Sequence, residues 1–339
     1  MKKYLSVLSV FSCLAVVILH TNSVFWTFSY DSYWWKSNLV ESAFYFAVPI
    51  FFMISGCNLI DYNKKYNTKV YFLKRIRKTV VPFLLWSIIG YGYLIVTGLW
   101  AAEKMEVKKA INLIFNSSII GPYWFFIPLF AIYITIPAVA MVPEHSRKSI
   151  FEYLLTVGFA INMVLPLAFK LVGLEYNSSF YISMSGGYFF YALAGYYIDR
   201  YPIGKKYRIL AYILGISGVL AQAIGTYILS YRDGTINQLY KGYLNVPTVF
   251  YAIAIFLLFK SIDTSRVIDR MYRIMKWVSE DTFGIYLIHW YIIAYIQYHT
   301  QLNIYRISYW IGGGIIIFVI SALLTKIIRR IPIIKNLIP

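Results

Sequence analysis

Ten apolar stretches alternate with short polar segments along the 339-residue chain, at roughly 4–26, 42–60, 80–101, 123–143, 150–170, 180–198, 208–230, 245–262, 281–298 and 307–328. Each is close to the ~20 residues a helix needs to cross a hydrocarbon core. The pattern predicts an all-α, polytopic integral membrane bundle of about ten transmembrane helices. No polar stretch is long enough for a soluble domain, so residues 1–339 read as a single membrane domain. No internal repeat is visible, and the inverted-repeat signature of many transporters is missing. The opening MKKYLSVLSVFSCLAVVIL has the outline of a signal peptide. No A-x-A-like cleavage site follows it, so it reads as a retained first helix.

Composition strengthens this reading. The chain is 60% hydrophobic and 14% charged, against about 25% charged in soluble domains, and its mean hydropathy is +0.62. The stretch VPIFFMISG places Pro49 and Gly56 inside an apolar run. Both cost stability in a water-exposed helix. Transmembrane helices tolerate them, because neighbouring helices satisfy the freed backbone groups.

A net charge of +18 raises the question of nucleic acid. The distribution of charge answers it. The odd polar segments hold Lys2 and Lys3, then the seven basic residues from Lys64 to Lys78. They also hold Arg147 and Lys148, and further groups at 200–208, 260–276 and 326–335. Together these segments carry 24 of the 32 Lys and Arg. This is the positive-inside pattern, with both termini cytoplasmic and no nucleic-acid partner. Trp26, Trp34, Trp35, Trp100, Tyr123, Trp124 and Trp310 lie near span ends, as an interfacial aromatic belt would. Cys13 and Cys57 fall in apolar runs, and two such cysteines make neither a disulfide framework nor a metal site.

Ionisable side chains within membrane spans are candidates for function. His20 lies near the outer end of the first span, on one helical face with Ser6, Ser9, Cys13 and Val16. Small and polar residues on a single face point to contact with other helices. A histidine there suits general-base chemistry near neutral pH, and a structural imidazole bonded to an adjacent helix is the plainer alternative. His289 shares a face with Thr282 and Tyr286 and has the same two readings. At 1.5 Å per residue the two histidines stand at depths about 14 Å apart. His145 and His299 fall in or beside loops. The basic run KKYNTKVYFLKRIRK suits a phosphate-bearing ligand, with Lys74, Arg75 and Arg77 as its cations. Attraction to anionic membrane lipid explains the same run.

Five motifs, in order, resemble the acyltransferase 3 family of integral membrane acyltransferases. LAVVILHTN resembles the end of the family's first helix, with His20 at the family histidine. VPIFFMISG is similar to its second-helix motif, FLKRIRKTVVPFLLWS to its basic entry into the third span, PYWFFIPLFAIYITIP to its fourth helix, and TFGIYLIH to its late motif. The resemblance implies ten helices around a catalytic core, an acyl-CoA donor on the cytoplasmic side, and a glycan or lipid-linked saccharide as acceptor. It implies His20 as the catalytic residue, supported by His289, Ser55, Tyr286 and Trp124, which lie in the same motifs. The family's arginine eleven residues before the histidine is Ser9 here. Its arginine shortly before the VP of the second motif is also absent, with Ala43 to Ala47 in its place.

The sequence thus reads as a membrane O-acetyltransferase of a bacterial cell membrane, with acetyl-CoA as donor substrate, no metal, and lipids around it. A transporter or exporter on the same scaffold is the alternative. Proton-coupled carriers use carboxylates within their spans, whereas Glu41, Glu152 and Asp199 fall at span ends.

Overall fold

The structure is a computed structural model that describes residues 2–100, 106–262, 269–332 and 337–338. Ala101, Arg266 and Lys335, counted above in a span and in basic segments, lie outside the described residues. Among the described residues the regular structure is all helical. In chain order the α-helices are α1 (Lys3–Thr21), α2 (Ser32–Phe44), α3 (Ala47–Leu59), α4 (Thr68–Arg75), α5 (Val81–Val96), α6 (Val107–Phe115), α7 (Phe126–Ala140) and α8 (Glu144–Phe159). They continue with α9 (Leu165–Leu171), α10 (Phe189–Arg200), α11 (Lys205–Leu220), α12 (Thr226–Asp233), α13 (Val246–Ser261), α14 (Asp269–Ser279), α15 (Thr282–His299) and α16 (Gly314–Arg330). Tight or π-helical turns fuse several of these, and among the described residues seven of the resulting segments are long and apolar enough to cross a membrane: 3–21, 32–64, 68–96, 121–140, 144–171, 205–233 and 308–330. The protein is a multi-pass membrane protein.

Each expected stretch contains helix, but the second, third and sixth differ in extent, the third because its helix begins at Thr68 rather than near residue 80. The second begins at Ser32 rather than near residue 42, because the polar sequence before it is itself helical. The sixth is regular only from Phe189. Its first half, SSFYISMSGG, forms short 3₁₀ turns around Ser183–Ser185, as a Ser- and Gly-rich run favours. The amphipathic helices α6 and α14 occupy segments that read as loops.

Pro49 and Gly56 each have a visible consequence. Proline clashes with the carbonyl four residues before it, which here is that of Tyr45. The helix breaks at Tyr45 and Phe46, and α3 restarts at Ala47. Gly56 lies where α3 crosses α10. A Cβ there would stand 1.8 Å from the Ala192 carbonyl oxygen, and one on Gly195 would stand 2.3 Å from that of Met53. The two glycines let the backbones meet, as small residues do between membrane helices.

Helix α1 is central. It packs against α2, α3, α13, α14, α15 and α16, and most of its residues are buried. Ion pairs join the polar segments at its N-terminal end: Lys2 to Asp199 at 2.7 Å, Arg147 to Asp61 at 2.7 Å, and both Lys64 and Arg200 to Glu144. This is the basic end of the bundle. Helix α15 runs beside α1 and is tied across to α5 by Tyr291 Oη, which donates to the Trp86 carbonyl at 2.7 Å, and by Tyr93 Oη, which donates to the Tyr291 carbonyl at 3.1 Å.

Candidate active site

Depth counted from the sequence separates the two histidines, but the structure joins them. His20 Nδ1 lies 2.7 Å from His289 Nε2, with the rings 4.9 Å apart and nearly parallel. The count placed the start of each helix at the same membrane edge. In fact α15 begins deeper: Ser9, six residues into α1, donates to Thr282 Oγ1 at the first residue of α15. That offset of about 9 Å at 1.5 Å per residue removes most of the gap.

The hydrogen bonds assign the tautomers. His289 Nδ1 lies 3.1 Å from the Ile285 carbonyl oxygen. A carbonyl only accepts, so Nδ1 of neutral His289 carries the proton and Nε2 holds a lone pair. That lone pair accepts the His20 Nδ1 proton, and His20 Nε2 is left as the basic atom. His289 is fully buried and His20 partly exposed.

His20 lies in the walls of two cavities. The first, about 260 Å³, extends from Thr79, Ser279 and Ser9 on the basic side up to His20, between apolar walls that include Val48, Ile54 and Leu129. The second, about 450 Å³, lies beyond His20 and is lined by Trp26, Glu41, Tyr45, Tyr188 and Gln238. Leu19, His20, Trp124 and Tyr243 belong to both walls.

The other expected supporting residues gather at the first cavity. Ser55 lines it and donates to the Phe51 carbonyl at 2.9 Å. Tyr286 lines it, donates to the Pro122 carbonyl, and sets its ring 5.6 Å from that of His289. Trp124 stacks on Tyr243 at 5.5 Å. The three expected donor-binding cations separate. Arg75 sits 5.6 Å over the Tyr133 ring, and Tyr133 and Thr79 line the first cavity. Its buried Nε has no hydrogen-bond partner among the described residues. Thr79 reaches the wall from a π-helical turn, Ile76–Val80, a distortion common at functional sites. Lys74 is exposed and stacks on Tyr66 at 3.9 Å, and Arg77 is exposed.

Sequence reasoning missed a polar cluster beside His20. Glu41, at a span end by sequence, is 2% exposed, and Lys241, which lies outside the basic segments, is 0% exposed. Lys241 Nζ donates to Asn38 Oδ1 at 2.6 Å and Ser42 Oγ at 2.9 Å, and lies 4.3 Å over the Phe25 ring. Asn22 Nδ2 donates to Glu41 Oε2 at 3.1 Å. The spacing of Ser37, Asn38, Glu41 and Ser42, one polar helical face, was a usable signal. Lys241 gave none, because its partners lie about 200 residues away.

Fold and site together define a multi-pass membrane protein with a histidine pair at the junction of two internal cavities. Residues 2–326 match the family model described as an acyltransferase domain, and the chain belongs to that acyltransferase 3 family of membrane acyltransferases. No curated protein and no solved structure matches the chain.

Proposed function

We propose that this acyltransferase moves an acetyl group from acetyl-CoA to a hydroxyl of a bacterial surface or lipid-linked glycan, with His20 as general base. The reading is carried by one observation: His20 lies in both cavity walls, with Nδ1 engaged by His289 and with no hydrogen bond to Nε2 from the described residues. The donor enters from the basic, cytoplasmic end. Its thioester lies in the first cavity, and Arg75, with Lys74 and Arg77 at the surface, holds its phosphates. The charge of Arg75 matters more here because Ser9 occupies the position of a family arginine and bonds Thr282 instead.

The acceptor occupies the second cavity. Its hydroxyl proton passes to His20 Nε2 as its oxygen bonds to the thioester carbonyl carbon. The C–S bond then breaks, and the sulfur takes the proton from His20, giving the ester and free CoA. The forming imidazolium keeps its Nδ1–H on His289. Ser55, Tyr286 and Trp124 line the space where the thioester would lie.

The test is consumption of acetyl-CoA by the purified chain. Removing a general base costs about 10²–10⁴-fold, so His20→Ala abolishes detectable transfer while the protein melts as a single folded species. A folded variant with near wild-type transfer overturns the assignment. A wild-type protein that moves glycan across the membrane without consuming acetyl-CoA replaces it with the transporter reading.

A further inference from the structure

A further cavity, about 470 Å³, lies among the 144–171 segment, α10, α11 and α13, and shares no lining residue with the two at His20. The polar side-chain atoms of its wall are the hydroxyls of Thr156, Tyr197 and Tyr207, and Tyr197 already donates to Glu152. The rest of the wall is apolar and suits hydrocarbon. The cavity is a groove with an open side, where Tyr207 is 67% and Val164 39% exposed.

Depth limits what can occupy it. On α10 the lining runs from Ile198 back to Phe190, and on α13 from Leu257 back to Val249. Each run rises about 12 Å at 1.5 Å per residue. Both begin within a turn of the basic end, which Arg200 and Lys260 mark. The groove therefore reaches a little less than halfway through a core about 30 Å thick, the depth of one leaflet. A partner's transmembrane helix would need a groove through both leaflets. The acyl chain of a lipid in the near leaflet needs only this much.

Charge selects the headgroup. Arg208 follows Tyr207 and stands three residues before Ala211, both in the wall, so it lies at the rim on that side of α11. The Arg208 Nε is buried, and no described residue accepts from it. Lys205 and Lys206, in the first turn of the same helix, are exposed, and Gly204 gives that turn no side-chain cap. The acids nearby are taken: Glu144 pairs with Arg200 and Lys64, Asp199 with Lys2, and Glu152 with Lys148. Among the described residues no carboxylate pairs with Lys205, Lys206 or Arg208. A phosphate offers the guanidinium two acceptors at once. Two lysines beside it favour a lipid of net negative charge and repel the ammonium of a zwitterionic one.

We infer that this groove is a binding site for an anionic phospholipid of the leaflet at the basic end. One acyl chain lies along α10 and α13, and the phosphate sits on Arg208. Because the lipid binds the folded bundle, it also stabilises it by mass action.

The experiment uses the full chain, stripped of lipid in a zwitterionic detergent, with thermal melts to confirm folding. Native mass spectrometry measures binding of phosphatidylglycerol and phosphatidylcholine with the same acyl chains, and of glycerol phosphate, which has the charge but no chain. Phosphatidylglycerol binds about fivefold or more tighter than phosphatidylcholine, and glycerol phosphate is not retained. Arg208→Gln weakens phosphatidylglycerol about tenfold, the loss of hydrogen bonding to a charged group. Lys276→Gln, at an exposed lysine elsewhere on the basic side, leaves it unchanged. Ala211→Phe fills the groove and weakens both lipids. A diazirine on the acyl chain of phosphatidylglycerol labels peptides 155–164, 190–198 or 249–257 of the wild type, which locates the site even if Ala211→Phe does not fold. Equal affinity for the two lipids, an Arg208→Gln protein that keeps the preference, a folded Ala211→Phe protein that binds as before, retention of glycerol phosphate, or label mainly on other helices overturns the inference. None of these readouts involves acetyl-CoA, so the site stands or falls apart from the acyltransferase reading.

Discussion

His289 gives the most direct test of how the site works. The perturbation is His289→Leu beside His289→Gln. Leucine fills the space but leaves the His20 Nδ1–H without the acceptor now 2.7 Å away. Glutamine presents an amide oxygen at similar reach and restores an acceptor. Two losses follow in the leucine variant. The imidazole is no longer held in the tautomer that leaves Nε2 basic. The imidazolium formed as the acceptor oxygen attacks also loses a hydrogen bond. A hydrogen bond to a charged group contributes about 1.5–3 kcal/mol, which corresponds to roughly 10–150-fold in rate. His289→Leu should therefore lower the rate of acetyl transfer by one to two orders of magnitude, and His289→Gln by much less. The KM for acetyl-CoA should change little in either. His20→Ala should remain the most damaging change. The assay is single-turnover CoA release on detergent-purified protein, with thermal melts to confirm folding. If leucine and glutamine are equally inactive while both fold, or if leucine is near wild type, His289 is not the partner that orients His20.

Three further outcomes follow. Arg75→Glu should raise the KM for acetyl-CoA about tenfold or more, whereas Lys69→Glu, a reversal at an exposed lysine of the same helix, should shift it far less; steady-state kinetics compares them. Gly56→Ala places a methyl 1.8 Å from a backbone oxygen, and overpacking of this kind costs about 1–3 kcal/mol; its melting temperature in detergent should fall well below that of Gly92→Ala, where nothing lies within 4 Å. In intact cells, an impermeant thiol reagent added outside should label Thr300→Cys and spare Lys205→Cys, since both positions are exposed at opposite ends of the bundle; the reverse pattern would invert the proposed topology.

Much of the architecture was legible because the solvent writes it into the chain. Lipid demands long apolar runs, and the run from Lys3 to Thr21 could be read as a helix from composition alone. The face of Ser6, Ser9, Cys13 and His20 was legible for the same reason, since period and burial agree. What periodicity does not carry is relative height. The polar face Ser37–Asn38–Glu41–Ser42 was visible, but its partner Lys241 was not, because the contact is tertiary and leaves no local pattern. The π-helical turn at Ile76–Val80 was hidden too. It lies inside the continuous helical segment 68–96, and no local residue pattern marks where the hydrogen-bond register widens.

The height of α15 has a cause in charges that sequence reading gave only to topology. Asp281, the residue before α15, is fully buried. Arg329 Nη1 meets its Oδ1 at 2.7 Å, and Lys326 Nζ meets its Oδ2 at 2.6 Å, both from the last turns of α16. A buried carboxylate cannot be left without its cations, and breaking such a pair costs several kcal/mol. The start of α15 is therefore held at the level where α16 ends, and Thr282 meets Ser9 there. Seven residues farther on, a rise of about 10 Å, His289 arrives opposite His20. Two basic residues near the C-terminus, which read as part of a positive-inside count, thus act through Asp281 to set the height at which His289, near the middle of α15, meets His20.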